Sequence, residues 1–107
     1  MVDPEAVTAV RRYLAALARQ GVEASFAVVF GSAARGTVGP LSDIDLLVVA
    51  RRFDERYAYR DVALLWKVAA SVDSRIEPIP CGELQWETDF STPIIEIARR
   101  EGLRVAA

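Results

Sequence analysis

Two short apolar runs on either side of a glycine turn leave few folds open to this chain. Residues 25 to 30 read Ser-Phe-Ala-Val-Val-Phe and end at Gly31; residues 43 to 50 read Asp-Ile-Asp-Leu-Leu-Val-Val-Ala. Short runs of β-branched and aromatic residues closed by glycine read as buried strands. Between them, residues 32 to 36 suit one helical turn, and residues 38 to 41, with Gly39-Pro40, suit a reversal. Helical spacing surrounds this pair. Asp3-Pro4 is an N-cap followed by proline, Val7, Val10, Leu14 and Leu17 line one face, and Gly21 is a stop, so residues 4 to 20 form a helix. Val62, Leu65, Trp66, Ala69 and Val72 define a second helix over residues 59 to 72, after a polar loop at 51 to 57.

The remainder is shorter. Residues 75 to 79 make a third strand, which Pro78 and Pro80 confine to an edge or a strand end. Residues 83 to 86 suit a helical turn. Thr92-Pro93 opens a last helix that runs to Glu101 and stops at Gly102, and residues 103 to 105 can add a short strand. The order α-β-α-β-α-β-α gives an α/β (α+β) domain, a small sheet of three or four strands flanked by helices. With 107 residues, 52% of them hydrophobic and 26% charged, the chain holds one domain, residues 1 to 107, with a real core.

Composition then removes chemistries. There is no histidine, so Ser-His-Asp and Cys-His catalysis and histidine-ligated zinc are excluded, and a metal site must use oxygen ligands. The single cysteine, Cys81, cannot form an internal disulfide, which fits the cytoplasm. The longest uncharged stretch, Ala24 to Ala34, is too short for a membrane helix, and the acidic start lacks the order of a signal peptide. A net charge of −2 argues against a globally basic nucleic-acid binder.

Asp43 and Asp45 carry the chemistry. Strand side chains alternate, so both project from one face, and two adjacent carboxylates are costly unless a cation lies between them. Oxygen ligands favour Mg²⁺ or Mn²⁺, which bind through a few carboxylates and substrate phosphates. Alone, an Asp-x-Asp is as well read as a solvated strand end. The Gly31-Ser32 turn adds backbone N–H groups and a hydroxyl that can hold phosphate oxygens, though it also reads as an ordinary serine-capped turn. It is not a P-loop: Thr37 stands where lysine is needed and Val38 where Ser/Thr is needed.

Gly31-Ser32-x-x-Arg35-Gly36, five residues, then Ser42-Asp43-x-Asp45-Leu-Leu-Val resembles the active-site motif of the polymerase-β-like nucleotidyltransferases. Spacing and length are closest to the minimal nucleotidyltransferases of prokaryotes, small proteins often paired with a HEPN-domain toxin. The motif is specific, and the likeness is looser elsewhere, where the family also has a long helix, a third strand and an isoleucine-rich last helix like Ile94 to Gly102. The resemblance implies a nucleotide-binding set of Gly31, Ser32, Arg35, Gly36 and Ser42, with Gly31 and Ser32 on the triphosphate. Arg35 either contacts phosphate or pairs with a carboxylate, and Ser42 bonds backbone at the start of the strand. It implies that Asp43 and Asp45 hold two Mg²⁺ ions. A third carboxylate, general base or second metal ligand, falls on Glu77, the only acid inside the third strand, where many minimal members have aspartate. Asp73 and Glu83 are weaker choices at element ends.

The implied activity is Mg²⁺-dependent transfer of a nucleoside monophosphate from a nucleoside triphosphate, AMP from ATP, to an acceptor hydroxyl. The acceptor implied is a tyrosine of a HEPN-type toxin, which makes the chain an antitoxin. Lacking a second domain, the chain is expected to complete its site with a partner protein or a second copy. The alternative is a non-catalytic antitoxin, a binding module that keeps the fold. RNA end-tailing fits the acidic balance poorly. Arg51, Arg52, Arg56 and Arg60, with Tyr57 and Tyr59, read as a solvated loop and helix start before they read as a grip on nucleic acid. Trp66 and Trp86 are assigned to the core, and Cys81 is an inert small residue.

Overall fold

The computed structural model describes residues 4–35, 43–55 and 59–107, apart from the side chains of Ser32 and Arg35. Helix α1 (Pro4–Arg19) buries Ala6, Ala9, Val10, Tyr13, Leu14 and Leu17, one stripe at helical spacing. It ends in a Schellman motif: Gly21 takes φ +87°, its N–H donates to Ala18 O at 3.0 Å, and Val22 N–H donates to Leu17 O at 2.9 Å. Strand β1 (Phe26–Phe30), the single turn α2 (Ser32–Arg35) and strand β2 (Ile44–Val49) follow as the sequence predicts. Helix α3 (Tyr59–Val72) leads to β3 (Ile76–Cys81), α4 (Glu83–Thr88), α5 (Pro93–Glu101) and β4 (Leu103–Ala106).

The four strands run in the order β3-β2-β1-β4. β1 is antiparallel to β2 and β4, whereas β2 and β3 are parallel, so the sheet is mixed. The prolines of β3 are tolerated because β3 is an edge, as expected from Pro78 and Pro80. Each face of the sheet has its own core. Ala27, Val29, Ile44, Leu46, Val48 and Val105 pack under α1 and α3, and the buried Tyr13 hydroxyl ties these helices by donating to Leu65 O at 2.9 Å. Val28, Phe30, Leu47, Val49 and Cys81 pack on the opposite face, under Ile95 and Ala98 of α5.

Two expectations are corrected. The loop read over residues 51 to 57 begins with a 3₁₀ turn, Arg51–Phe53, because it drives the Phe53 ring into the core, 4% exposed. Trp66, assigned to the core, is 46% exposed. Apolar residues cover more of the circumference of α3 than the sheet can bury; Leu65, Val68 and Ala69 face inward and Trp66 lies beside that stripe. Trp86 does pack, edge-on to Phe26 with ring centroids 5.6 Å apart. Among the described residues no helix is long and apolar enough to cross a membrane.

Candidate active site

Strand register builds the site. Phe30 of β1 pairs with Asp45 of β2, and Asp45 pairs with Glu77 of β3, so the three form one row across the sheet. Residues paired in register share a face, and every second residue returns to it. The next rows on that face are Val28, Leu47 and Ile79, then Phe26, Val49 and Cys81. These apolar rows lie against α4 and α5. The carboxylates thus occupy one end of a sheet face whose other end is packed. Asp43 stands just before β2 and is exposed, with Asp45 and Glu77 half-buried.

Glu77 senses both aspartates. Its carboxyl is held above the usual carboxylate range, first by desolvation, then by the negative charges of Asp43 and Asp45, and by a hydrogen bond with Asp45. Such crowding of like charge beside an apolar sheet is what a bound cation would relieve.

Gly31 closes the other side of Asp45. Its φ is +71°, in the left-handed region, and a Cβ on it would collide with Asp45 Oδ2. Only glycine allows the turn between β1 and α2 to lie directly on this carboxylate. The start of β3 is fixed as well. Asp73 accepts from Arg75 Nε at 3.0 Å, from its Nη2 at 2.8 Å and from its backbone N–H at 3.0 Å. Arg75 O in turn accepts from Ile44 N–H at 2.7 Å, which locks the register that aligns Asp45 with Glu77.

Of the residues singled out from sequence, Asp43, Asp45, Glu77 and the Gly31 backbone come together. Gly36 and Ser42 lie outside the described residues, as do the side chains of Ser32 and Arg35. Asp73 and Glu83 are engaged elsewhere, Asp73 with Arg75 and Glu83 with the Ser25 hydroxyl at 2.6 Å. Of the basic cluster, Arg51 and Arg60 are exposed, and Arg52 donates to Asp61 at 3.0 Å and to Gly21 O at 3.2 Å. Cys81 is buried and its thiol is pushed up to about 11, mainly by burial, which suits an inert residue. The apposition of Gly31 with Asp45 is invisible in sequence, because it depends on strand pairing rather than spacing.

The donor set suits Mg²⁺ as the hard-cation rules expect. Asp43 and Asp45 offer oxygen ligands on one face, with the glycine turn directly beside them. Among the described residues, however, no three acidic or cysteine side chains converge as a ready metal cage. Ligands from a substrate would have to complete the coordination.

A family model, the nucleotidyltransferase domain, matches residues 10–104. A search of curated proteins gives no match. Similar solved structures include a candidate nucleotidyltransferase from Sulfolobus solfataricus, with TM-score 0.65 and 16% identity over 94% of this chain and 78% of that one. A toxin-antitoxin structure with AMP-PNP has TM-score 0.62 and 21% identity over 92% of this chain and 70% of that one. With the family model spanning nearly the whole sequence, the chain belongs to the nucleotidyltransferase domain family.

Proposed function

We propose that this domain transfers AMP from ATP to an acceptor hydroxyl, the α-phosphorus bonding to the acceptor oxygen as pyrophosphate leaves, with Asp43 and Asp45 as the Mg²⁺ ligands. The observation that carries the reading is the row in which Asp45 lies between Glu77 and the Gly31 turn, with Asp43 on the same side. Mg²⁺ would neutralise triphosphate charge and activate the attacking hydroxyl. The chain's own residues do the rest. The backbone at Gly31 and Ser32 receives the phosphates. Glu77 takes up the proton of the acceptor hydroxyl or adds a ligand oxygen. The packed rows beyond Leu47 hold these groups on a rigid sheet, so that positioning supplies much of the rate.

The acceptor we propose is a tyrosine on a HEPN-type toxin, which the modification would silence, in keeping with the toxin-antitoxin complex among the similar structures. A second reading, a binding module without turnover, draws on one observation: no closed carboxylate cage exists among the described residues. One experiment separates them. The tagged protein and a variant carrying Asp43→Asn and Asp45→Asn are incubated in host lysate with Mg²⁺ and α-labelled ATP, then recovered with their partners. Label on a co-purifying protein with the native chain alone supports transfer. An unlabelled partner recovered equally by both forms supports the binding module.

A further inference from the structure

The two edges of the sheet are not alike. β3 carries Pro78 and Pro80, which lack the N–H a further strand would need. β4 has no proline, and among the described residues its one strand neighbour is β1. Beside this edge, between α1 and β4, runs a groove of about 550 Å³. Leu14, Ala15, Ala18 and Ala107 give it an apolar floor, and its two charges, Arg11 and Glu23, are of opposite sign. Leu103, at the start of β4, is 40% exposed.

We propose that β4 is a self-association edge: two copies pair β4 with β4, antiparallel, about a two-fold axis at Val105, each seating Leu103 in the other's groove. An exposed Leu103 and an apolar groove on the same edge suit a second copy, and charge restricts the register. In an antiparallel pair of identical strands, residues facing each other across the axis share a face when their numbers sum to an even value. Centring the pair on residue 104 sets Arg104 against Arg104, and like charges directly opposite are destabilising. Centring it on Val105 sets Arg104 against Ala106 and Leu103 against Ala107. Val105 packs in the core under α1, so Leu103, two residues away, lies on the same face as the groove. A groove with one charge of each sign accepts its own copy without repulsion. The product is a continuous eight-stranded sheet with proline-bearing strands at both outer edges. A four-residue strand and one groove lie at the small end of interface sizes, so dissociation is expected on the order of 10 µM. The groove lies on the α1 face of the sheet, opposite the face that bears the carboxylate row, and the pairing does not depend on the transfer reaction.

Sedimentation velocity of this chain over a dilution series tests it. A reversible monomer–dimer equilibrium is expected. Ala106→Arg, at an exposed position, sets arginine against Arg104 of the second copy and should weaken the dimer at least tenfold. Adding Arg104→Glu to that variant turns the clash into an ion pair and should restore it. Leu103→Lys, independent of both, should weaken it by emptying the groove, and circular dichroism verifies that each variant is folded. A native chain that stays monomeric throughout overturns the proposal. So does a dimer indifferent to Ala106→Arg and Leu103→Lys, since it would then form elsewhere.

Discussion

Gly31 is where one missing side chain decides the most. At φ +71° an alanine pays roughly 1–2 kcal/mol for the left-handed backbone, and its methyl would also displace the Asp45 carboxylate. Gly31→Ala is therefore expected to lower the melting temperature and to remove Mg²⁺-dependent transfer together. Asp45→Asn should separate the two effects. It relieves like-charge crowding around Glu77, so stability should hold or rise by up to about 1 kcal/mol, while transfer falls by roughly two orders of magnitude or more. Thermal melts alongside labelled-ATP assays check both. Asp73 has the opposite electrostatics: its hydrogen bonds from Arg75 hold the carboxyl below its usual value of 3.8. A lowered folded value means the contribution is present above pH 3.8 and lost as pH falls through the folded value. Asp73→Asn should thus destabilise by about 1 kcal/mol at pH 7 and by progressively less in acid, as urea melts across that range will read. Glu77, held above its usual 4.5, runs the other way: its stabilisation is present below pH 4.5 and lost as pH rises through the folded value.

Among elements, Arg99 joins α4 to α5. Its guanidinium donates to the Trp86 and Asp89 carbonyls, pairs with Glu96, and lies 5.1 Å and 4.5 Å from the Trp86 and Phe90 ring centres. A planar fork serves several acceptors and two rings at once, and an ammonium cannot. Arg99→Lys is expected to cost about 1.5–3 kcal/mol in denaturant melts, with the end of α4 loosened first. None of this clamp is legible in the sequence, where Arg99 is one cation at the end of a helix. The elements themselves are legible because local signals agree: Pro4, Gly21 and the stripe from Val10 to Leu17 all specify α1. Trp66 lies outside the core, against the sequence expectation, because periodicity finds an apolar face but not how much of it the sheet can cover. The motif made Asp43 and Asp45 legible. Glu77 could be nominated only as the acid in a strand, since its place beside Asp45 comes from a parallel pairing across a long crossover.

At the scale of the molecule, the carboxylates of Asp43, Asp45 and Glu77 lie beyond the packed rows of their sheet face. A thiol at the opposite end of the same face reports on that packing. Cys81 is fully buried and its thiol is raised to about 11, so alkylation at pH 7 should be slow and should follow unfolding rather than local opening. We propose that one end of this face is a single Mg²⁺–triphosphate site. Calorimetric titration with ATP, with and without Mg²⁺, on the native chain and on Asp45→Asn, tests it most directly. ATP binding that requires Mg²⁺ in the native chain and is lost in the variant is expected. ATP binding that is indifferent to Mg²⁺ and unchanged by Asp45→Asn would contradict it.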